Sequence, residues 1–291
     1  AATDVTSMGC HTDLWSPKTG TFSDLPAKLG ISNKIAPVRK PTDILGTLLP
    51  EISRKTGLQP DTPVCVGIHD SNASLYPHLL TQSGAFSVVS TGTWVIVMSI
   101  GGIDTPLDPA RDTLINVNAL GQAVPSARFM GGREYEMIQQ GADVTPTAAD
   151  VSDILDGQLM ILPAVDPRTG PFRGRGMSWT GAALQTATGA RTAAVSFYLA
   201  MMTDTCLKLT GAQGPTVVEG PFGRNSAFID MLGAATGRQV LTSDAATGTS
   251  IGAALLFGKS NAMAKPIVAS TTADQSRYRS YANRWRTLAE L

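Results

Sequence analysis

A chain of 291 residues, 43% of them hydrophobic, is long enough to bury one large core or two smaller ones. Its 23 Lys plus Arg are matched by 23 Asp plus Glu, so no overall charge draws it to nucleic acid or to an anionic membrane. An anionic ligand would have to be held by local devices, such as the N–H groups of glycine turns or a bound cation.

Cys10, Cys65 and Cys206 are odd in number and widely spaced, and none forms a CxxC pair, which argues against a zinc site or a disulfide framework. Cys65, inside Val64-Cys65-Val66, and Cys206, inside a helical pattern, read as buried thiols and favour a reducing cytoplasm. No apolar run reaches the roughly 20 residues that cross a bilayer, and the N-terminus lacks a signal-peptide pattern. A soluble cytoplasmic protein is the expectation.

Residues 11–25 mix Trp15, Pro17, Gly20 and Phe22 in the manner of a loop with a short helix. Over 41–57, Ile44, Leu45, Leu48, Leu49 and Ile52 fall at helical spacing, interrupted by Pro50. Residues 63–68 read as a buried strand that ends in His69-Asp70, and 71–80 as the helix after it. From Ala85 the period changes to that of strands: 85–90 and 94–98 form a hairpin around Thr91-Gly92-Thr93.

A strand is expected over 113–117, and a helix opening at Gly131-Gly132 and running to 140. Another strand follows at 157–163 and a glycine-rich loop at 171–181. The longest helix spans 192–209. Residues 216–220 form a strand feeding the turn 221–225, and a helix over 226–236 is closed by Gly237. Val240-Leu241 is a short strand and 249–257 a helix rich in Ala and Gly. The arginine-rich end, with Arg277, Arg279, Arg284 and Arg286, reads as a surface helix. Alternating strands and helices imply an α/β architecture.

Four segments stand in an order that resembles the FGGY family of carbohydrate kinases. They are Gly67-Ile68-His69-Asp70-Ser71-Asn72-Ala73, Ser90-Thr91-Gly92-Thr93-Trp94, Glu219-Gly220-Pro221-Phe222-Gly223-Arg224-Asn225, and residues 247–256 (TGTSIGAALL). The resemblance implies an actin-like ATPase (ribonuclease H-like) α/β fold with sugar and ATP meeting in a cleft between two domains. It divides the chain into the remaining part of an N-terminal sugar-binding domain (1–83), a C-terminal nucleotide-binding domain (84–270) and a C-terminal surface helix or tail (271–291). The implied reaction is ATP-dependent phosphorylation of a sugar or polyol hydroxyl, with ATP and Mg²⁺ as cofactors and a small sugar or polyol as partner. A homodimer stays open.

The resemblance assigns Asp70 as the general base that takes the proton of the attacking hydroxyl, a task suited to a carboxylate. Read from the residues alone, Asp70 or Ser71 caps the following helix; one residue could serve both ends. His69 is either a sugar contact or structural, and Asn72 is a cap or solvated. His11 and Asp13 fall in a region that in the family lies on the sugar side, so they too are candidate substrate contacts. Cys10-His11-Thr12-Asp13 is a poor metal site, because adjacent side chains rarely converge on one ion. Thr91, Gly92 and Thr93 match a phosphate-binding motif, with N–H groups and two hydroxyls facing phosphate oxygens, or form a plain hairpin turn. Gly220, Gly223 and Asn225 match the adenosine motif, Asn225 also being a good helix cap, and Gly132 is a further candidate wall of the nucleotide site. The family more often has Gly-Gly where this chain has Gly220-Pro221.

The family also carries an Asp-x-Gly-Thr segment that binds phosphate, and none precedes Asp70. Most of a first domain, about 150–200 residues, is therefore expected to be missing, leaving the chain alone inactive. A non-catalytic sensor of the same fold is the alternative. A serine hydrolase has little support, since there is no GxSxG elbow and the only histidines are His11, His69 and His78.

Overall fold

The computed structural model describes residues 1–141, 143–184, 186–243, 248–258, 267–268 and 275–290, the side chain of His11 excepted. The chain forms two compact units. The first comprises Ala1–Gln82, Ile115–Val124 and Thr247–Met263; the second comprises Ser83–Leu114, Pro125–Ala246 and Ala264–Leu291. Ala119 and Leu255, from the two later segments of the first unit, pack against Tyr76 of its first segment, with Ile68, Leu79, Ile251 and Leu256 around them.

The first unit opens with β1 (Thr3–Asp4), α1 (Val5–His11), the ribbon β2 (Trp15–Ser16) and β3 (Thr21–Phe22), and α2 (Leu25–Lys28). Next come β4 (Val38–Arg39), which pairs parallel to β1, β5 (Ile44–Thr47), α3 (Pro50–Thr56), β6 (Pro63–Cys65) and α4 (Asp70–Thr81). The single helix expected over 41–57 is instead β5 followed by α3. Pro50 explains the break, since proline disfavours helix at the residue before it and suits a first helical turn. The strand expected to be buried over 63–68 is short, pairs antiparallel with β5, and leaves Pro63 and Val64 exposed. Cys65 is accordingly half-buried, correcting its reading as a core thiol.

A seven-stranded mixed sheet holds most of the second unit's strands. Its strands are β7 (Phe86–Thr91), β8 (Val95–Ile100), β9 (Thr113–Val117) and β10 (Ala123–Phe129), then β13 (Thr216–Glu219), β14 (Val240–Ser243) and β15 (Ile267–Val268). Residues 115–117 of β9 and 123–124 of β10 are counted in the first unit. The order is β15-β14-β13-β7-β8-β10-β9. Strands β7 and β8 form the expected hairpin, while β13 lies parallel to β7 and β14. A ribbon of β11 (Ile161–Leu162) and β12 (Ser178–Trp179) stands apart, so only the end of the strand expected over 157–163 forms. Its start belongs to α6 (Ala148–Gly157), which follows α5 (Gly131–Gln139).

Helix α7 (Gly189–Leu209) is buried along nearly all of its 21 residues, as a helix apolar on all sides must be. It packs against α5, α6 and α8 (Ser226–Thr236). Asn225 caps α8 by accepting the Phe228 N–H, and Gly237 closes it at φ 66°. Helix α9 (Gly248–Ala254) belongs to the first unit and packs on α4. Helix α10 (Gln275–Glu290) buries Tyr278, Tyr281, Ala282, Trp285 and Ala289, so the expected surface helix is an amphipathic core element. Arg279 and Arg284 are exposed, while Arg277 and Arg286 are half-buried beside the apolar face. Among the described residues no helix is long and apolar enough to cross a membrane.

Candidate active site

In the first unit the geometry starts at Asp4. Its carboxylate caps α1, accepting the N–H groups of Thr6 at 3.1 Å and Ser7 at 2.8 Å, and takes a short hydrogen bond from the Thr6 hydroxyl. Thr6 Oγ1 in turn accepts the backbone N–H of His69 at 2.9 Å, pinning the residue before α4. The His69 ring then stands with Nδ1 3.1 Å from Asp70 Oδ1 and 3.8 Å from Cys10 Sγ. Asp70 is the first residue of α4, and its side chain is 77% exposed.

Asp70 Oδ1 also accepts the Ser71 N–H at 2.6 Å. The N-cap position of α4 is held by His69, with no side-chain cap bond, so neither Asp70 nor Ser71 is the cap that the sequence allowed. A carboxylate in a first helical turn is still favoured by the helix dipole. Behind it α4 is clamped to α9: a Cβ at Gly252 would strike the Ala73 carbonyl, and Ser74 Oγ lies 2.9 Å from Thr249 Oγ1. The structure thus brings His69 and Asp70 together. Asp13 is exposed in the turn after α1, with φ 55° and its carbonyl accepting the Ser23 hydroxyl. The His11 side chain lies outside the described residues, as does Thr247, the first residue of the fourth motif.

In the second unit the two sequence segments assigned to nucleotide meet. Thr91, the last residue of β7, donates its hydroxyl to the Glu219 carbonyl at 2.5 Å and accepts the Phe222 N–H at 3.1 Å. That hydroxyl links β7 to β13 and to the turn after it, while Thr93 is exposed. Gly220 adopts φ 82°, and a Cβ there would fall on the carbonyl and hydroxyl oxygens of Thr91. Gly132 likewise fits against the Gly92 carbonyl, and the Arg133 N–H reaches the Thr93 carbonyl at 3.5 Å. Asn225 uses both ends of its amide internally, Nδ2 donating to Ser196 Oγ at 2.8 Å. Backbone groups of the turn around Gly92 and of residues 220–223 are therefore what this surface offers to an anionic ligand.

Sequence reasoning missed the cluster under this surface. Glu134 on α5 is buried, accepting the Tyr198 hydroxyl at 2.7 Å. Asp166 is buried too, gripped by Arg168 through contacts of 2.8 and 2.6 Å, and Arg133 lies 3.8 Å away. The Arg168 hydrogen bonds hold the Asp166 carboxyl down at about 2. Burial pushes Glu134 up from 4.5 to about 7. The available signal was spacing: Gly131, Glu134 and Ile138 share the buried face of α5. Among the described residues no group of three or more His, Cys, Asp or Glu could hold a metal ion.

Residues 83–266 match the family described as carbohydrate kinase FGGY, C-terminal domain. Among solved structures, a carbohydrate kinase from Novosphingobium aromaticivorans is 35% identical with a TM-score of 0.88, over 99% of this chain and 66% of that one. A ligand-bound xylulose kinase from Lactobacillus acidophilus (16% identity, TM-score 0.74) aligns over 99% of this chain and 64% of its own. For the Plasmodium falciparum glycerol kinase with ADP the figures are 15%, 0.73, 100% and 63%. The chain thus spans about two thirds of the length of these proteins. No curated protein sequence matches it. Matched over most of its length and sharing the actin-like ATPase fold of sugar kinases, the chain belongs to the FGGY family of carbohydrate kinases.

Proposed function

We propose that the protein serves ATP-dependent phosphorylation of a sugar or polyol hydroxyl, with Asp70 as the general base. The observation that carries this reading is the exposed Asp70 carboxylate, oriented by His69 Nδ1 at 3.1 Å and the Ser71 N–H at 2.6 Å. So held, it can accept the proton of the attacking hydroxyl as the oxygen approaches phosphorus. His69, with His11 and Asp13, is proposed to contact the sugar.

On the nucleotide side, the turn at Gly92 and Thr93, Gly132, and the turn at Gly220 and Gly223 would receive the phosphates and adenosine. Gly132 packed on the Gly92 carbonyl and Gly220 on the Thr91 carbonyl hold these turns side by side, which supports one shared ligand surface, and the ADP described with the glycerol kinase of the same fold points the same way. MgATP, when bound, supplies the phosphoryl group, its Mg²⁺ taking oxygens from phosphate and water more readily than from a protein cage. A cytoplasmic setting fits such a metabolic kinase.

With no Asp-x-Gly-Thr segment ahead of Asp70, these 291 residues by themselves are proposed to turn over negligibly. The test is a phosphorylation screen with sugars and polyols, on these residues and on the full-length chain of any longer parent, with Asp70→Asn beside each. Loss of base catalysis should cost about 10²–10⁴ in kcat in whichever form is active. An Asp70→Asn enzyme with full turnover would remove the base assignment. Sugar or nucleotide binding without turnover in any form would favour the sensor.

A further inference from the structure

The buried carboxyl of Glu134 lies behind the nucleotide-side turn and takes no part in the chemistry above. It sits in the first turn of α5, 0% exposed. Tyr198, midway along α7, donates to Oε2 at 2.7 Å, and the same phenol oxygen accepts the Val165 N–H at 3.2 Å. Oε1 makes no hydrogen bond of normal geometry; the Asp166 backbone N–H gives the carboxyl weaker support. One side of the helix start is thus anchored through this carboxyl to α7. The other side rests on the turn, through Gly132 against Gly92 and the Arg133 N–H to the Thr93 carbonyl.

We propose that Glu134 is a positioning residue: its neutral acid form holds the start of α5 against the Gly92–Thr93 turn, and ionising it weakens nucleotide binding there. The inference rests on the nucleotide reading of that turn. An anionic Glu134 would leave Oε1 charged in a dry pocket without a full donor set, which the helix start can relieve only by shifting. The buried negative charge would also oppose phosphate at the same turn. Both effects act in one direction.

Burial outweighs the hydrogen bonds from Tyr198 and the Asp166 N–H, which by themselves favour the ionised form. Tyr198 meets the carboxyl from α7, and burial keeps it protonated, as it does Cys206 further along the same helix. Asp166, with its Arg168 partner, faces it from the loop after β11, and its negative charge raises Glu134 further. Arg133 flanks it on α5 and reaches toward Asp166. The strands beneath present Val95 and Phe129 to this helix start. Burial, the largest influence, moves the carboxyl to about 7.

The test is calorimetric titration of the 291-residue chain with MgADP across the neutral range, comparing wild type with Glu134→Gln. Ionisation of the nucleotide is common to both proteins and cancels in the ratio. Wild type should lose about tenfold in affinity relative to Glu134→Gln between about pH 6 and pH 8.5. A ratio that stays flat overturns the proposal. If Glu134→Gln does not fold, Tyr198→Phe substitutes for it: removing the hydrogen bond that favours the ionised acid should move the midpoint of the affinity loss upward, and an unmoved midpoint is equally fatal. Absence of MgADP binding at every pH would instead sink the nucleotide reading, a separate outcome.

Discussion

Gly220 shows how closely the nucleotide-side surface depends on single backbone positions. Its φ of 82° lies where side chains are strained, and the Thr91 carbonyl occupies the place of a Cβ. Gly220→Ala should cost about 1–3 kcal/mol for the conformation alone, with more from displacing Thr91. The hydroxyl of Thr91 links Glu219 to Phe222, so the disturbance should reach both proposed phosphate-binding turns. Thermal melting together with MgADP titration checks this, and Gly223→Ala is the internal comparison. That site has no positive φ, and its nearest neighbour is the Val218 carbonyl at 3.3 Å. Equal losses in the two variants would show that the Thr91 contact is not what matters. Asp70 makes a contrasting case, because its exposed side chain is held by polar neighbours without burial.

At the scale of elements, the arginines of α10 suggest a surface helix, whereas its apolar residues at 278, 281, 282, 285 and 289 follow helical spacing and are buried. Trp285 donates its indole N–H to the Ile161 carbonyl at 2.7 Å and meets Phe172 edge-on. Arg286 contributes through burial of its stem and through Asp204, whose Oδ2 it reaches from two nitrogens at 3.0 and 2.9 Å. Lys208 shares that carboxylate at 3.0 Å. Breaking a fully buried pair costs about 3–5 kcal/mol, and because both cations are partly exposed here, Asp204→Ala should cost less, about 2 kcal/mol. Amide exchange should then rise through α10 and the facing part of α8. Unchanged protection in α10 would mean that Asp204 does not tether it.

The whole molecule carries a pH signature set by the same cluster. Glu134 binds its proton more tightly folded than unfolded, with a folded value of about 7 against an ordinary 4.5. Its contribution is therefore most favourable below about pH 4.5, declines as pH rises toward 7, and is fully lost above that. At 1.36 kcal/mol per unit, the loss approaches about 3 kcal/mol. Asp166 has the opposite sign: held at about 2, it contributes above its ordinary 3.8 and weakens only in stronger acid. The two windows are distinct. Urea unfolding at about pH 5 and about pH 8 should thus show Glu134→Gln gaining on wild type at the higher pH, by about 1–3 kcal/mol. A difference between the two proteins that does not change with pH would show that Glu134 is ionised throughout.

Much of this molecule was readable from residue order alone. The hairpin at 86–100, helix α8 with its Asn225 cap and Gly237 stop, and the four family segments depend on local rules of period, turn and cap, which act within a few residues. The family itself was legible for the same reason, since its motifs are contiguous. Other features needed tertiary contacts. The fate of residues 44–65, the burial of α10, the commitment of the Thr91 hydroxyl and the Glu134–Tyr198 pair all depend on partners distant in sequence, 64 residues apart in the last case. Local pattern specifies which face of an element is apolar. Only packing decides what that face meets, and whether a carboxyl within it finds a donor or loses its water and keeps its proton.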